Sequence, residues 1–310
     1  MPRPAHTPRI GLALGAGGAR GFAHLVVLQA FDELGVKPAM IAGSSMGAIL
    51  GAAYAAGTSA RDIKAMVEEL YGSRTGNLLG FLMRRDFLKY VDLIDPTMNR
   101  GGILRGERFV NFLLDLLKAR SFEDLAIPLQ TVATDFWRQR PVVFASGPLF
   151  PALKASMAAP LVFTPEQVGD AVLVDGALSN PVPWDLLADD SDIVIAVDVM
   201  DTRHDETKGI PDFATVIAEQ LDSLTRALIN ERRKWLPPDI FLAPRLPGVS
   251  CFDFYKVKEI YAMALPMKDK LKRDLERLMS NPVKRIKSAA RQIVDTRAKM
   301  RRRSSMKTPT

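Results

Sequence analysis

The sequence predicts an α/β layered fold built around a largely parallel sheet. Three observations predict it. Short apolar runs alternate with stretches of 3.6-residue periodicity through the first 200 residues. Two of those runs pass directly into helices through glycine-rich turns, at 15–21 and at 43–47. A third, Ile193-Val-Ile-Ala-Val-Asp-Val199, is apolar without alternation, as a strand covered on both faces requires.

The elements follow in order. Arg9-Ile-Gly-Leu-Ala-Leu14 reads as a strand that runs into GAGGARG (15–21) and then a helix with Phe22, Val26, Leu28 and Phe31 among its apolar positions, closing near Gly35. Met40-Ile-Ala-Gly43 is a second strand, turning directly into a helix over 47–56. Residues 60–71 and 106–119 have helical spacing, and 72–105 between them is mixed and punctuated by glycine. Strands are expected over 127–134, 141–145, 171–174 and 193–199, a late strand over 239–243 and a helix over 255–279. No internal repeat is present.

Composition limits the function classes. With 310 residues and 47% hydrophobic content the chain can bury a sizeable core. Cys251 is the single cysteine, so no intramolecular disulfide and no Cys-based metal cluster can form, and a reducing compartment is favoured. Neither a metal nor a cofactor is expected. The N-terminal apolar run is broken by glycines between Gly11 and Gly21, which suits neither a signal peptide nor a membrane span, and Met46 to Gly57 is too short to cross a bilayer. A cytoplasmic protein follows, with peripheral contact to a membrane left open. The net charge of +7 lies in the tail: residues from Lys284 onward carry ten Lys/Arg against Asp295, and residues 1–283 sum to −2. An anionic membrane surface is the first partner for that tail, a solvated end being the plainer alternative. Nucleic acid is not expected, because no aromatic residues interleave the bases.

Chemistry concentrates in three segments. Gly43-Ser44-Ser45-Met46-Gly47 is a G-x-S-x-G frame, in which a strand reverses into a helix and the central side chain is forced outward. Gly43 and Gly47 let strand and helix pass closely, which makes Ser45 the apex and Ser44 a spacer. Alone the pattern also describes a Ser-Gly turn; its place between a strand and a helix favours a nucleophile. A nucleophilic serine needs a proton acceptor and an oxyanion site. The chain holds three histidines: His6 in a leader, His24 beside the glycine loop and His204 in the polar segment Asp201-Thr-Arg-His-Asp-Glu206. A Ser-His-Asp arrangement, in which the histidine comes late in the chain, is the less favoured alternative: only His204 is late enough, and it sits in a polar segment. His24 is expected to pack against or cap the loop. The remaining candidate is Asp175 in Leu173-Val-Asp-Gly-Ala-Leu-Ser-Asn-Pro181, a carboxylate at a strand end with Gly176 turning the chain away. Catalytic groups of open α/β sheets gather at such carboxyl ends, and partial burial raises a carboxyl pKa toward neutrality. Asp175-Gly176 is also an ordinary turn signal.

The glycine loop has two readings. As a dinucleotide fingerprint starting at Gly15 it places Arg20 where the last glycine belongs, and no acid ends the second strand. As a nest of backbone N–H donors it would receive an oxyanion, Gly17 and Gly18 allowing close approach. Arg20 adds charge there or pins the loop to an acid.

GAGGARG, GSSMG and VDGALSNPVP in this order resemble the signature blocks of the patatin-like phospholipases. So do Gly102-Ile-Leu-Arg-Gly-Glu107, Phe122-Glu-Asp-Leu-Ala-Ile-Pro128, Val132-Ala-Thr-Asp135 and Lys154-Ala-Ser-Met-Ala-Ala-Pro160. The likeness runs from about Ile10 to Val199 and more loosely to about residue 275. It implies a three-layer α/β/α sandwich with a mainly parallel central sheet, related to lysophospholipases, and a Ser-Asp dyad acting on lipid acyl esters without a cofactor. Carried over, Ser45 is the nucleophile and Asp175 the general base. The oxyanion loop is Gly17, Gly18 and the amides up to Arg20, and Gly43, Gly47 and Gly176 are motif glycines. Ala16 stands where the family's loop often has glycine, which puts the loop's entry geometry in question.

The organisation expected is a catalytic domain over 8–203, a strand and helices over 204–275 completing it, and a basic extension over 276–310, partly helical or disordered. The substrate implied is a phospholipid or lysophospholipid. Leu78-Leu-Gly-Phe-Leu-Met-Arg-Arg85 reads as a lid or as an ordinary packed helix, and Met157, Leu161 and Phe163 as an acyl pocket or as core. Acyl transfer on the same dyad, or a non-catalytic interaction protein that keeps the fold, are the competing functions.

Overall fold

The computed structural model describes residues 8–71, 104–160, 162–200 and 213–280. His6, the 78–85 run, Leu161, His204 and the basic segment from Lys284 lie outside the described residues.

Eight strands form one mixed, mostly parallel sheet: β1 (Ile10–Leu14), β2 (Met40–Ser44), β3 (Leu129–Asp135), β4 (Arg140–Phe144), β5 (Glu166–Val168), β6 (Ala171–Asp175), β7 (Ile193–Val197) and β8 (Ile240–Leu242). Their order is β5-β6-β3-β2-β1-β7-β8, with β4 also on β3. The run from β3 to β8 is parallel, and β4, β6 and β5 pair antiparallel. β1 and β7 are buried along their whole length, which is why neither alternates polar with apolar.

The faces of the sheet are covered unequally. On one, Leu12, Leu14, Ile41, Leu129, Ile193, Ile195 and Leu242 share a core with α1 (His24–Leu34), α2 (Met46–Ala55), α3 (Ala60–Tyr71), α4 (Glu107–Leu117), α5 (Leu149–Ser156), α7 (Val257–Ala264) and α8 (Pro266–Met279). The other presents small residues, Ala13, Ala42 and Ala196, under Val182, Trp184 and Leu187 and under Ile229 of α6 (Phe213–Trp235). A bulky indole fits there because the strand side chains beneath it are methyl groups. Trp184 donates its indole N–H to the Leu236 carbonyl at 2.7 Å, so the one polar atom of that ring is satisfied.

Two elements differ from the sequence reading. The helix expected over 255–279 is a 3-10 turn (Phe254–Lys256) followed by α7 and α8, broken at Leu265 because Pro266 has no N–H to continue the ladder and instead opens α8. The 23-residue α6 falls among the helices expected over 204–275, but the sequence reading sets no bounds for it, and the short β5 carries no expectation there.

The register around β3 places the site. β4 pairs with Thr131–Asp135 of β3. The opposite edge is therefore shared end to end by β2, whose Ser44 lies opposite Val132, and by β6, whose Asp175 lies opposite Ala133. Val132 and Ala133 are consecutive, so the ends of β2 and β6 meet head on. This corrects the physical basis for Asp175. It does not stand at the carboxyl end of a parallel strand; the β5–β6 hairpin returns the chain antiparallel, and Asp175 stops where β2 stops. Gly176 makes the close meeting feasible, since a Cβ there would lie 2.3 Å from the Val132 carbonyl oxygen and 2.6 Å from Ser44 Oγ.

Candidate active site

Ser45 is the residue between β2 and α2 and has φ 53° and ψ −123°. This is a strained conformation for a residue with a Cβ, and the reversal of strand into helix imposes it. Gly43 faces the Ala48 backbone at 2.6 Å and Gly47 the Leu14 carbonyl oxygen at 2.1 Å, each measured to where a Cβ would be. The flanking glycines are thus a steric requirement of the turn. Of the two serines, Ser44 is fully buried and its hydroxyl has no partner among the described residues. The Ser45 hydroxyl donates to Asp175 Oδ2 at 2.6 Å.

Asp175 is held on every side. Its Oδ1 accepts the Ala177 N–H at 2.8 Å, its own N–H reaches the Ala158 carbonyl at 3.0 Å, and its carbonyl accepts from the Thr134 hydroxyl at 2.8 Å. Burial pushes its carboxyl up to about 6, against the hydrogen bonds from Ser45 and Ala177, which pull it down. The carboxylate is therefore an unusually good proton acceptor near neutral pH, and one aimed at a hydroxyl.

No histidine joins this pair among the described residues. His24 is fully buried at the start of α1, and its Nε2 donates to the Gly15 carbonyl at 2.8 Å. Burial lowers its pKa to about 4, so the ring is neutral and braces the loop.

The glycine loop lies against the same turn: a Cβ at Gly21 would meet the Met46 side chain at 2.4 Å. Gly15 and Ala16 donate to the carbonyls of Val197 and Pro181. Ala16 does not have positive φ, so the loop's entry needs no glycine there. Gly18 does, at φ 55°, and a Cβ on it would press the Cys251 carbonyl oxygen at 2.4 Å. Further on, the Ala19 N–H is engaged by Cys251 O at 2.8 Å and the Arg20 N–H by Gly17 O at 3.1 Å. The stretch of amides expected to run up to Arg20 is therefore shorter, and Gly17 and Gly18 carry the N–H groups without an acceptor among the described residues. The Arg20 side chain is buried, pairs with Asp222 of α6 at 2.7 Å and donates to the Val249 carbonyl at 3.1 Å. It pins the loop; it does not reach into the site.

Sequence reasoning missed four supports: Ser156, whose hydroxyl accepts the Ser45 N–H at 3.0 Å, Thr134, Ala177 and Asp222. Ser156, Thr134 and Ala177 each lie inside a block singled out in the sequence, Lys154-Ala-Ser-Met, Val132-Ala-Thr-Asp and Val174-Asp-Gly-Ala, whereas nothing marks Asp222. Met157 is core, and Phe163 packs against that core. A cavity of about 620 Å³ lies away from the dyad, among Asp198, Arg226, Arg233, Phe241, Arg245 and Lys270. None of its lining residues belongs to the dyad or the glycine loop. No group of three or more His, Cys, Asp or Glu suited to a metal ion occurs among the described residues.

A family model described as Patatin-like phospholipase matches residues 12–188. The chain belongs to the patatin-like phospholipase family. The span matched by the patatin model takes in the loop, Ser45 and Asp175. An uncharacterized NTE family protein of Mycobacterium tuberculosis is 35% identical over 235 residues, 73% of this chain and 60% of that protein. Lysophospholipase nte1 of Aspergillus fumigatus is 25% identical over 275 residues, 81% of this chain and 17% of that protein. The solved structure of VipD from Legionella pneumophila aligns at TM-score 0.47 and 13% identity, over 86% of this chain and 67% of that one. This patatin-like chain thus spans 60% of the length of the mycobacterial relative. Among the described residues no helix is long and apolar enough to cross a membrane.

Proposed function

We propose that the chain hydrolyses fatty acyl esters of phospholipids or lysophospholipids, with Ser45 as nucleophile and Asp175 as general base. The observation that carries this is the 2.6 Å bond from the Ser45 hydroxyl to a buried carboxylate whose pKa lies near 6. Membership of the patatin-like family supports the choice of lipid esters.

In the first half-reaction Ser45 Oγ bonds to the ester carbonyl carbon as its proton passes to Asp175 Oδ2. The carbonyl oxygen becomes an oxyanion and accepts N–H bonds from Gly17 and Gly18. On collapse the carbon–oxygen bond to the alcohol breaks, and protonated Asp175 gives its proton to the departing oxygen. In the second half, water attacks the acyl-serine and its proton goes to Asp175. That proton then returns to Ser45 Oγ as the fatty acid leaves. The Ala177 N–H fixes the carboxylate through Oδ1, so Oδ2 stays on the serine through both halves.

Product analysis by mass spectrometry on a mixed phospholipid extract tests the proposal. Wild type is expected to release free fatty acid and the matching lysolipid or glycerol phosphodiester, and Ser45→Ala to release neither. Equal release by the variant would refute it.

A further inference from the structure

The turn between β3 and β4 carries two large aromatic side chains that the fold leaves in water: Phe136 is 50% and Trp137 75% exposed. They contact each other edge to face, with ring centroids 4.9 Å apart. The turn is built to hold them. Asp135, itself buried, accepts the N–H groups of Trp137 and Arg138 through Oδ1, at 3.1 and 3.0 Å. Arg138 then bonds Asp135 Oδ2 at 2.9 Å and Asp170 Oδ2 at 2.6 Å, tying this turn to the turn of the β5–β6 hairpin. Phe136 donates its N–H to the Val172 carbonyl at 2.8 Å. Ordering these rings in place without burying them serves no folding purpose, because apolar area in water contributes nothing to the core.

Position gives the turn a purpose. It continues β3 beyond the point where Ser45 and Asp175 meet: Asp175 lies opposite Ala133, and Phe136 follows three residues later, roughly 10 Å along an extended strand. A rigid aromatic tip that enters the boundary of a bilayer by about 5–10 Å would bring the serine to the level of the lipid head groups and ester bonds. Tryptophan is the side chain best suited to that boundary, being apolar in body and polar at its N–H. Asp135 and Asp170 are both bonded to Arg138, and Arg140, exposed at the start of β4, is a cation for phosphate at the same turn.

We propose that Phe136 and Trp137 form an interfacial anchor that docks the protein on a phospholipid surface with the dyad facing it. The choice of a lipid surface as occupant rests on the lipid-hydrolase reading; the ordered, exposed tip does not.

The test uses the full chain carrying Ser45→Ala, so that binding is read without turnover, and Trp235→Phe, which removes the other exposed indole; Trp184 is buried. Vesicles of phosphatidylcholine with a minor share of phosphatidylglycerol are expected to shift the emission to the blue, and brominated acyl chains to quench it. Phe136→Ser with Trp137→Ser, in the chain that keeps Ser45, should weaken vesicle binding at least about tenfold. The same pair should leave thermal unfolding and hydrolysis of a water-soluble short-chain ester unchanged. Unshifted emission from protein that co-sediments with vesicles would overturn the anchor. So would wild-type vesicle affinity in the double variant, or a shift that follows protein concentration without lipid, which would mark a contact between copies. Docking through Trp137 by a wild-type chain that releases no fatty acid supports the anchor and overturns the hydrolase reading.

Discussion

Ser45 and Asp175 are each held in a state that costs stability, and each cost is measurable. At φ 53° Ser45 occupies a region that glycine enters freely. Ser45→Gly should therefore be about 1 kcal/mol more stable than Ser45→Ala, both lacking the hydroxyl and both without turnover, as read by denaturant titration. Asp175 has a carboxyl raised from 3.8 to about 6, so the folded state binds its proton more tightly than the unfolded chain does. Below about 4 the group is protonated in both states and costs nothing. As pH rises through about 6 the folded state must ionise a buried group, at a cost on the order of 3 kcal/mol above that range. Asp175→Asn should thus unfold several degrees above wild type at pH 8, with the gap closing below pH 4. Catalysis has the opposite dependence. In the proposed mechanism only ionised Asp175 accepts the serine proton, so kcat/KM of wild type should fall about tenfold per unit below pH 6.

At the scale of elements, the site depends on two strand ends colliding and on a helix that braces the loop. α6 supplies Asp222 to the buried Arg20. Asp222→Ala leaves that guanidinium without its carboxylate and should cost about 3 kcal/mol, with a fall in kcat larger than any change in KM as the loop donors lose register. Ser156→Ala leaves the Ser45 N–H without its acceptor and should cost about 1–2 kcal/mol in the same titration. The elbow at Ser45 was legible because its glycines are local steric necessities, and Asp175 because a carboxylate closes an apolar run. The direction of β6 was not, since nothing within 171–175 records whether its partner runs with it or against it; pairing with β3 decides that. The bounds of α6 escaped notice because Val216, Leu224 and Leu228 are exposed while Thr225 is buried, so the apolar spacing along the sequence does not mark the face that packs.

Over the whole molecule, distant segments close one core. β8 extends the sheet beside β7, and α8 lies against α1, with Met267, Leu271 and Leu275 buried and Lys268 and Lys272 both bonded to Glu33. A chain ending before Val257 loses these side chains together with Val257, Ile260 and Ala264 and should lose cooperative thermal unfolding altogether, as followed by near-ultraviolet circular dichroism. The larger consequence of the fold is that loop, serine and carboxylate come from the ends of β1, β2 and β6, so that the proposed chemistry requires the assembled sheet. Its most direct test is the rate of hydrolysis of a soluble nitrophenyl ester by wild type and by Asp175→Asn, both verified as folded. A loss of at least about a thousandfold in kcat is expected if the carboxylate takes the serine proton. A variant that turns over near the wild-type rate would contradict the dyad.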